Sequence, residues 1–481
     1  MSEPLELKLY VDGRWTDGST GRRLGIVSPA TGELVATVPV PGPEDVRAAT
    51  RAARRAQREW AEVGAHRRAL ASHRVGDAIS ARAADLARLQ TLEQGKPLAE
   101  SVADVNEAAE LFHLHAEDLM RLNGETLPVR DPAKRMLTFR RPIGTWAIIT
   151  PWNFPVLMAA EFAAPGIVTG NSLVLKPPAH TCAAVLGLVE AFEAAGLPRG
   201  LISVLPGDGE VGEMLVRDDL VDAIGFIGSS ATGARIQEIA GLKRRVMECS
   251  GNGPLVVCAD ADIERAARAA VYGAYFCAGQ VCCATERVIV DVSRHEELLE
   301  ACLAEAEKVR LGDPFDPATT LGPLNNEAVA AKMDRHLADA SARGAKVLLG
   351  GGRRDGMPTR LYYELTVLDG VRPDMAVARE ESFGPVVPVL AAEGDDELLA
   401  LANADVLGLQ AAVFTRDLKR AFRFVEQLEV GQVIVNDTTD YWDIAMPFGG
   451  AGGKSTGWGR IGGKWTLMDM SDVRTAVIDL S

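Results

Sequence analysis

The sequence has no surplus of positive charge: 51 Lys and Arg stand against 66 Asp and Glu, a net of −15. Phosphate binding needs a concentrated excess of basic residues, so nucleic acid is excluded as a partner. A long apolar run is also missing. The longest uncharged stretch, Pro142 to Ala160, is interrupted by Pro151, Asn153 and Pro155. It reads as a buried strand, a polar turn and a helix start, not as a membrane span. Met1 to Tyr10 carries Glu3 and Glu6 and has no basic start ahead of an apolar run. No secretory signal is therefore expected, and a cytoplasmic location is. The seven cysteines (182, 249, 258, 277, 282, 283, 302) form no CxxC pair. That pattern suits a reduced compartment and leaves each as a small buried hydrophobe by default. The histidines show no metal-ligand spacing, so no metal is expected. Internal repeats and low-complexity linkers are absent too.

What is present is an ordinary globular composition, 47% apolar and 24% charged over 481 residues. At roughly 150 residues per domain this length suggests about three units. From Trp146 onward short apolar runs alternate with helix-like segments: Trp146–Thr150, Ser172–Lys176, Ile202–Leu205, Ala223–Ile227 and Arg245–Cys249. A second series follows: Leu255–Ala259, Arg287–Asp291, Pro385–Ala391, Gln410–Phe414 and Gln432–Val435. Such alternation predicts parallel sheets built from βαβ units, hence an α/β fold of two doubly wound domains joined near residue 250. Leu127 to Arg141 reads as a hairpin around Asp131-Pro132. Trp465 to Ser481 reads as a further extended piece able to pair with it.

Two glycine loops follow strands. Gly207-Asp208-Gly209-Glu210-Val211-Gly212 has Rossmann spacing, but no ribose-binding acid stands about twenty residues on, where Ile227 and Gly228 lie. A turn with close helix–strand packing fits it better. Gly228-Ser229-Ser230-Ala231-Thr232-Gly233 places backbone N–H groups at a helix start, which suits a pyrophosphate. Ala234 and Arg235 rule out a Walker A loop there. Phe448 does the same for Gly453-Lys454-Ser455, so ATP chemistry is not expected.

Cys282, in Gly279-Gln280-Val281-Cys282-Cys283, is the candidate nucleophile. An ordinary thiol at pKa ~8.5 is only a few per cent thiolate at neutral pH and needs an activating environment. Thr285 occupies the place of a third ligand, which excludes an iron–sulfur reading of Cys277 and Cys282. Glu248, at a strand end before Ser250-Gly251-Asn252-Gly253, is a candidate general base, though such an acid is more commonly solvated or salt-bridged. Asn153 is either a turn former or an amide donor to an oxyanion.

Together these segments resemble the aldehyde dehydrogenase superfamily nearly end to end. Pro151-Trp152-Asn153-Phe154-Pro155 is similar to its oxyanion loop, and Met247-Glu248-Cys249-Ser250-Gly251 to its general-base motif, although Leu-Gly is the usual sequel to the glutamate. Glu248 and Cys282 stand 34 positions apart, the family's usual separation. Lys176, in Leu173-Val174-Leu175-Lys176-Pro177, resembles the lysine that holds the adenosine ribose. Gly228, Ser229 and Gly233 resemble the phosphate loop, with Gly209 near the adenine. Glu381-Ser382-Phe383-Gly384-Pro385 resembles the motif bordering the nicotinamide ribose and ring.

The resemblance implies an NAD(P)-dependent dehydrogenase that oxidises an aldehyde through a Cys282 thioester. Asn153 and the Cys282 N–H would hold the oxyanion, and Glu248 would activate the hydrolytic water. It implies cofactor contacts from Trp152, Lys176, Ala179, Gly209, Gly228, Ser229, Gly233, Glu381 and Phe383. Ala179 stands where NAD-preferring members often carry a Glu, so either NAD or NADP is expected. Phe162 replaces a common Lys and Cys277 a common Asn. By the same resemblance Phe154, Met158, Glu161, Phe276, Trp442 and Phe448 would line the substrate tunnel. The C-terminal glycine run looks like the branch acting on benzaldehyde- and vanillin-type substrates, so an aromatic or apolar aldehyde is expected, with an aminoaldehyde as the alternative. A CoA-acylating enzyme would not need Glu248, and a silent binding member would be expected to lose Cys282, Asn153 or Glu248. The implied domains are 1–124 with 143–250 for the cofactor, 251–446 for catalysis, and 125–142 with 464–481 for assembly into homodimers or homotetramers.

Overall fold

A computed structural model describes residues 3–481. Its first large sheet is centred on five parallel strands in the order Arg244–Cys249, Ala223–Gly228, Thr145–Ile149, Ser172–Lys176 and Ile202–Val204. The three middle strands are buried along almost their whole length. That explains why they appear in the sequence as continuous apolar runs and not as alternating ones. Antiparallel strands Gly457–Trp458 and Leu9–Val11 extend the two edges.

The chain winds outward in both directions from Thr145–Ile149, first through Ser172–Lys176 and then through Ala223–Gly228. The topological switch point therefore lies between Thr145–Ile149 and Ala223–Gly228. In open α/β sheets ligands bind at the carboxyl ends of the strands at such a point. Those ends deliver Pro151 to Phe154 and Gly228-Ser229 to one crevice.

The second large sheet runs Lys346–Leu349, Thr366–Asp369, Val386–Ala392, Thr285–Asp291, Gly253–Val257, Gln410–Phe414 and Gln432–Val435. All its pairings are parallel except the first. Lys346–Leu349 and Thr366–Asp369 were not among the strands expected from sequence, being only four residues each. The two sheets are joined strand to strand by Ser250-Gly251-Asn252, so the carboxyl edge of the first faces the amino edge of the second.

Thr126–Leu127 and Lys134–Pro142 form the expected hairpin, and Ser471–Asp479 pairs along the full length of the latter. The tail is not extended throughout, however. Gly463–Asp469 is a helix that packs against the helices Leu98–Leu119 and Pro155–Thr169. Gly463, Thr466 and Leu467 are its buried residues, and three positions are too few to display a helical period in sequence. Among the described residues no helix is long and apolar enough to cross a membrane. No group of three or more His, Cys, Asp or Glu is placed to hold a metal there.

Candidate active site

A cavity of about 610 Å³ opens between the two sheets. Cys282 lies on its wall, after the helix Ile263–Tyr275 and a short turn, and before the strand Thr285–Asp291. The turn is unusual: Cys277 and Ala278 both take left-handed backbone angles, φ 49° and 56°. Non-glycine residues there cost about 1–3 kcal/mol each and persist only where the surroundings impose them. On the other side the inter-sheet link presses against the same loop. A Cβ at Gly251 would lie 2.1 Å from the Cys282 carbonyl oxygen, so only glycine fits.

Asn153 sits in the loop after Thr145–Ile149, and its Nδ2 donates to the Gln280 carbonyl at 2.8 Å. An amide nitrogen carries two hydrogens, so the second remains available beside Cys282. Glu248, near the end of Arg244–Cys249, lines the same cavity. Its carboxyl is almost fully buried, and Oε1 has no hydrogen-bond partner. Burial, reinforced by the charge of Glu381, pushes it up to about 8, partly offset by a hydrogen bond from Cys282. The Cys282 thiol is itself pushed well above its ordinary value, by its bond to Cys283, by burial and by the charge of Glu248. Cys282 and Glu248 thus share an enclosure in which the neutral forms of both are favoured.

A groove leads away along the carboxyl edge of the first sheet. Ser229 caps the helix Ser230–Ala240, its hydroxyl accepting from the Thr232 N–H. Gly228 ends the preceding strand at φ 159°. The Lys176 ammonium is held by the carbonyls of Gly207 at 2.7 Å and Asp208 at 3.4 Å. A Cβ at Gly209 would meet open space. Trp152 and Phe383 meet edge to face at 5.4 Å, and Glu381 Oε1 accepts from the Gly251 N–H. Helix-terminal N–H groups, a cation and an aromatic clip in one line fit a dinucleotide diphosphate and its flat ring. Gly233 differs from the other loop residues: it is buried, with Cys249 Sγ 2.6 Å from where its Cβ would be. Its function there is close helix–strand packing.

One wall of the cavity is aromatic and acidic. Phe276 stacks on Tyr272 at 5.5 Å and lies 6.0 Å from Phe154, while Trp442 meets Phe448 edge to face at 4.9 Å. Met158, Glu107 and Asp440 complete that wall.

The chain matches the aldehyde dehydrogenase family model over residues 15–476. The chain belongs to the aldehyde dehydrogenase family. Glutarate-semialdehyde dehydrogenase of Pseudomonas putida is 36% identical over 98% of this chain and 97% of its own. Betaine aldehyde dehydrogenase of Mesorhizobium japonicum is 37% identical, over 94% of this chain and 93% of its own. A solved NADP-dependent enzyme of E. coli superposes with a TM-score of 0.96 at 35% identity, over 99% of this chain and 98% of its own. This enzyme is thus an oxidoreductase of the NAD(P)-dependent aldehyde dehydrogenases.

Cys282, Glu248 and Asn153 converge on one cavity, as do Phe154, Met158, Phe276, Trp442 and Phe448. Glu161 does not reach the cavity wall. It is fully buried behind it, both carboxylate oxygens lack partners, and burial together with the Glu107 charge raises it to about 8. Phe162 also faces away, packing where Gly225 leaves room against the sheet, since a Cβ at Gly225 would come within 2.7 Å of its ring. Phe162 therefore fills core and is not part of the cavity wall. Cys277 does touch the site: its Sγ lies 3.8 Å from the Asn153 carbonyl. Sequence reading missed Glu107, Tyr272, Gln280 and Asp440. Tyr272 alone had a signal, lying one helical turn before Phe276.

Proposed function

We propose that this aldehyde dehydrogenase oxidises aldehydes whose remote end is cationic, an amino or quaternary ammonium group, to the carboxylic acid. The observation supporting this is the chemistry of the aromatic wall: the carboxyls of Glu107 and Asp440 stand among Phe154, Tyr272, Phe276 and Trp442. Burial raises Glu107 to about 7 and Asp440 well above its ordinary value, so an entering cation would draw out their ionised forms. The cations lining the cavity, Lys332 and Arg335, both come from the helix Glu327–Ala342, and Lys332 Nζ lies 5.8 Å from the Phe383 ring. A cation over aromatic faces gains about 0.5–2 kcal/mol, more beside a carboxylate. A carboxylate-tailed aldehyde would find no cation on that wall, since Lys332 and Arg335 stand on another element. The relative named for betaine aldehyde has such a cationic substrate, whereas the one named for glutarate semialdehyde does not. The same rings also favour a second reading, an aromatic aldehyde.

In the reaction Cys282 Sγ attacks the aldehyde carbon. It attacks as the thiolate, its proton given up to solvent, and the free Asn153 N–H with the Cys282 N–H stabilises the alkoxide. Trp152, Lys176, Gly228, Ser229, Glu381 and Phe383 would hold NAD or NADP, which would supply the hydride acceptor that oxidation of the adduct to a thioester requires. Ala179 and the open space at Gly209 leave room for a 2′-phosphate. Glu248 then deprotonates the water that releases the acid. The ribbon of Lys134–Pro142 and Ser471–Asp479 exposes Leu137, Phe139, Val473, Val477 and Ile478. This is the surface through which copies of the chain assemble.

The test compares an ammonium-tailed aldehyde, a benzaldehyde and a carboxylate-tailed aldehyde of matched length, with NAD and with NADP. The ammonium substrate is expected to exceed the carboxylate one by ~10-fold or more in kcat/KM, about 1.4 kcal/mol, and Asp440→Asn is expected to remove that advantage. Preference for the carboxylate tail would refute the reading. Preference for benzaldehyde, unaffected by Asp440→Asn, would establish the aromatic one.

A further inference from the structure

The helix that follows the Asn153 loop, Pro155–Thr169, starts without a cap of its own. Phe154 occupies the N-cap position and its side chain has no acceptor, and Pro155 has no N–H. An uncapped buried helix start costs about 0.5–2 kcal/mol unless something else accepts its N–H groups. Two side chains from another part of the chain do so. Gln90 Oε1 accepts from the Val156 N–H at 3.4 Å, and Asp104 Oδ1 accepts from Leu157 at 3.1 Å. Gln90 Nε2 also donates to Asp104.

Asp104 is paired with Lys96, whose Nζ lies 3.3 Å from Oδ2; neither side chain reaches solvent. The same ammonium lies 3.5 Å from the centre of the Phe154 ring. Lys96 is the middle residue of the Gly95-Lys96-Pro97 turn between the helices Ala83–Gln94 and Leu98–Leu119. Gly95 ends the first helix at φ 99°. The hairpin also grips the opposite wall. Glu100 Oε2 accepts from the Cys277 N–H at 3.1 Å, and Gln94 Nε2 donates to Cys277 Sγ at 3.6 Å. One hairpin therefore holds both the Asn153 loop and the loop leading to Cys282.

We propose that Lys96, Asp104 and Gln90 are positioning residues for the oxyanion hole: the buried ion pair, placed under Phe154 and across the helix start, fixes where the Asn153 amide points. This rests on Asn153 being the oxyanion donor. A buried ion pair is a poor device for stability, because its desolvation offsets most of its attraction. It is an effective device for geometry, because an ion pair and a ring-centred cation each have one good arrangement. A donor displaced by about 1 Å can cost ~10²-fold in rate.

The decisive experiment is a double-mutant cycle on kcat with Lys96→Met and Asn153→Ala. Lys96→Met alone is expected to lower kcat by ~10- to 100-fold with KM for aldehyde and coenzyme within about twofold. Lys96→Arg should recover part of that loss. In the Asn153→Ala background Lys96→Met should add little, since the group it positions is gone. Losses that multiply would overturn the proposal while leaving Asn153 as donor. An Asn153→Ala enzyme with full kcat would overturn the oxyanion reading and the proposal together. Should Lys96→Met fail to fold, Gln90→Met replaces it in the same cycle, with the same expectations.

Discussion

Glu161 shows what a single buried carboxyl does when nothing pairs it. A carboxylate in a low-dielectric interior without donors is costly, so the group remains protonated. Burial, with the Glu107 charge, raises Glu161 to about 8 from an ordinary 4.5. The unfolded chain ionises first as pH rises, so the stability associated with this group is complete below about 4.5. It is lost progressively as pH rises towards about 8. Glu161→Gln keeps the shape and removes the titration. Its melting temperature is expected to match wild type at pH 5 and to exceed it by several degrees at pH 8.5. Equal melting curves at both values would show that Glu161 is not held neutral. Glu248 is raised to a similar value for the same first reason, but here the consequence is chemical. A general base works deprotonated, so turnover limited by Glu248 should rise with pH and level off above about 8.

At the scale of elements, the sequence was most informative where burial is two-sided. Ser172–Lys176, Gln410–Phe414 and Gln432–Val435 were legible to the residue, because short apolar runs between turn signals have few alternatives. The edge pieces Lys346–Leu349 and Thr366–Asp369 were not, and neither was the helix Gly463–Asp469. Each is too short to display a period, and each exists because a larger element offers it a surface. The site divides in the same way. Asn153, Glu248 and Cys282 stand at strand ends or tight turns, where a polar residue in an apolar stretch is visible. Lys96, Asp104 and Glu107 lie on or beside one amphipathic helix, where charges normally face water. Only the assembled fold shows that these point inward. Glu161 misled for the opposite reason: a glutamate beside Phe162 in an apolar helix reads as functional, yet its carboxyl stops short of the cavity.

For the whole molecule, the two sheets meet edge on, carboxyl ends against amino ends, and the reacting groups come from both. Asn153 and Glu248 belong to the first sheet and Cys282 to the second, so in the proposed mechanism catalysis depends on how the halves are held together. The ribbon formed by Lys134–Pro142 and Ser471–Asp479 stands apart from both cores, and eight of the nine residues of Ser471–Asp479 are at least partly exposed. A ribbon this exposed and this apolar is expected to be covered by another copy. Removing residues 471–481 should therefore reduce the mass of the assembly in light scattering while leaving the far-UV spectrum nearly unchanged. An assembly of unchanged mass would place the contact elsewhere.

The central claim is that an acyl group passes through Cys282 and leaves by water that Glu248 activates. The most direct measurement is the intact mass of Glu248→Gln after mixing with aldehyde and coenzyme. With deacylation slowed by ~10²–10⁴-fold, the account predicts one added acyl group per chain, mapped by peptide digestion to Cys282 and absent from Cys282→Ala. No adduct, or one on Cys283 instead, would contradict it.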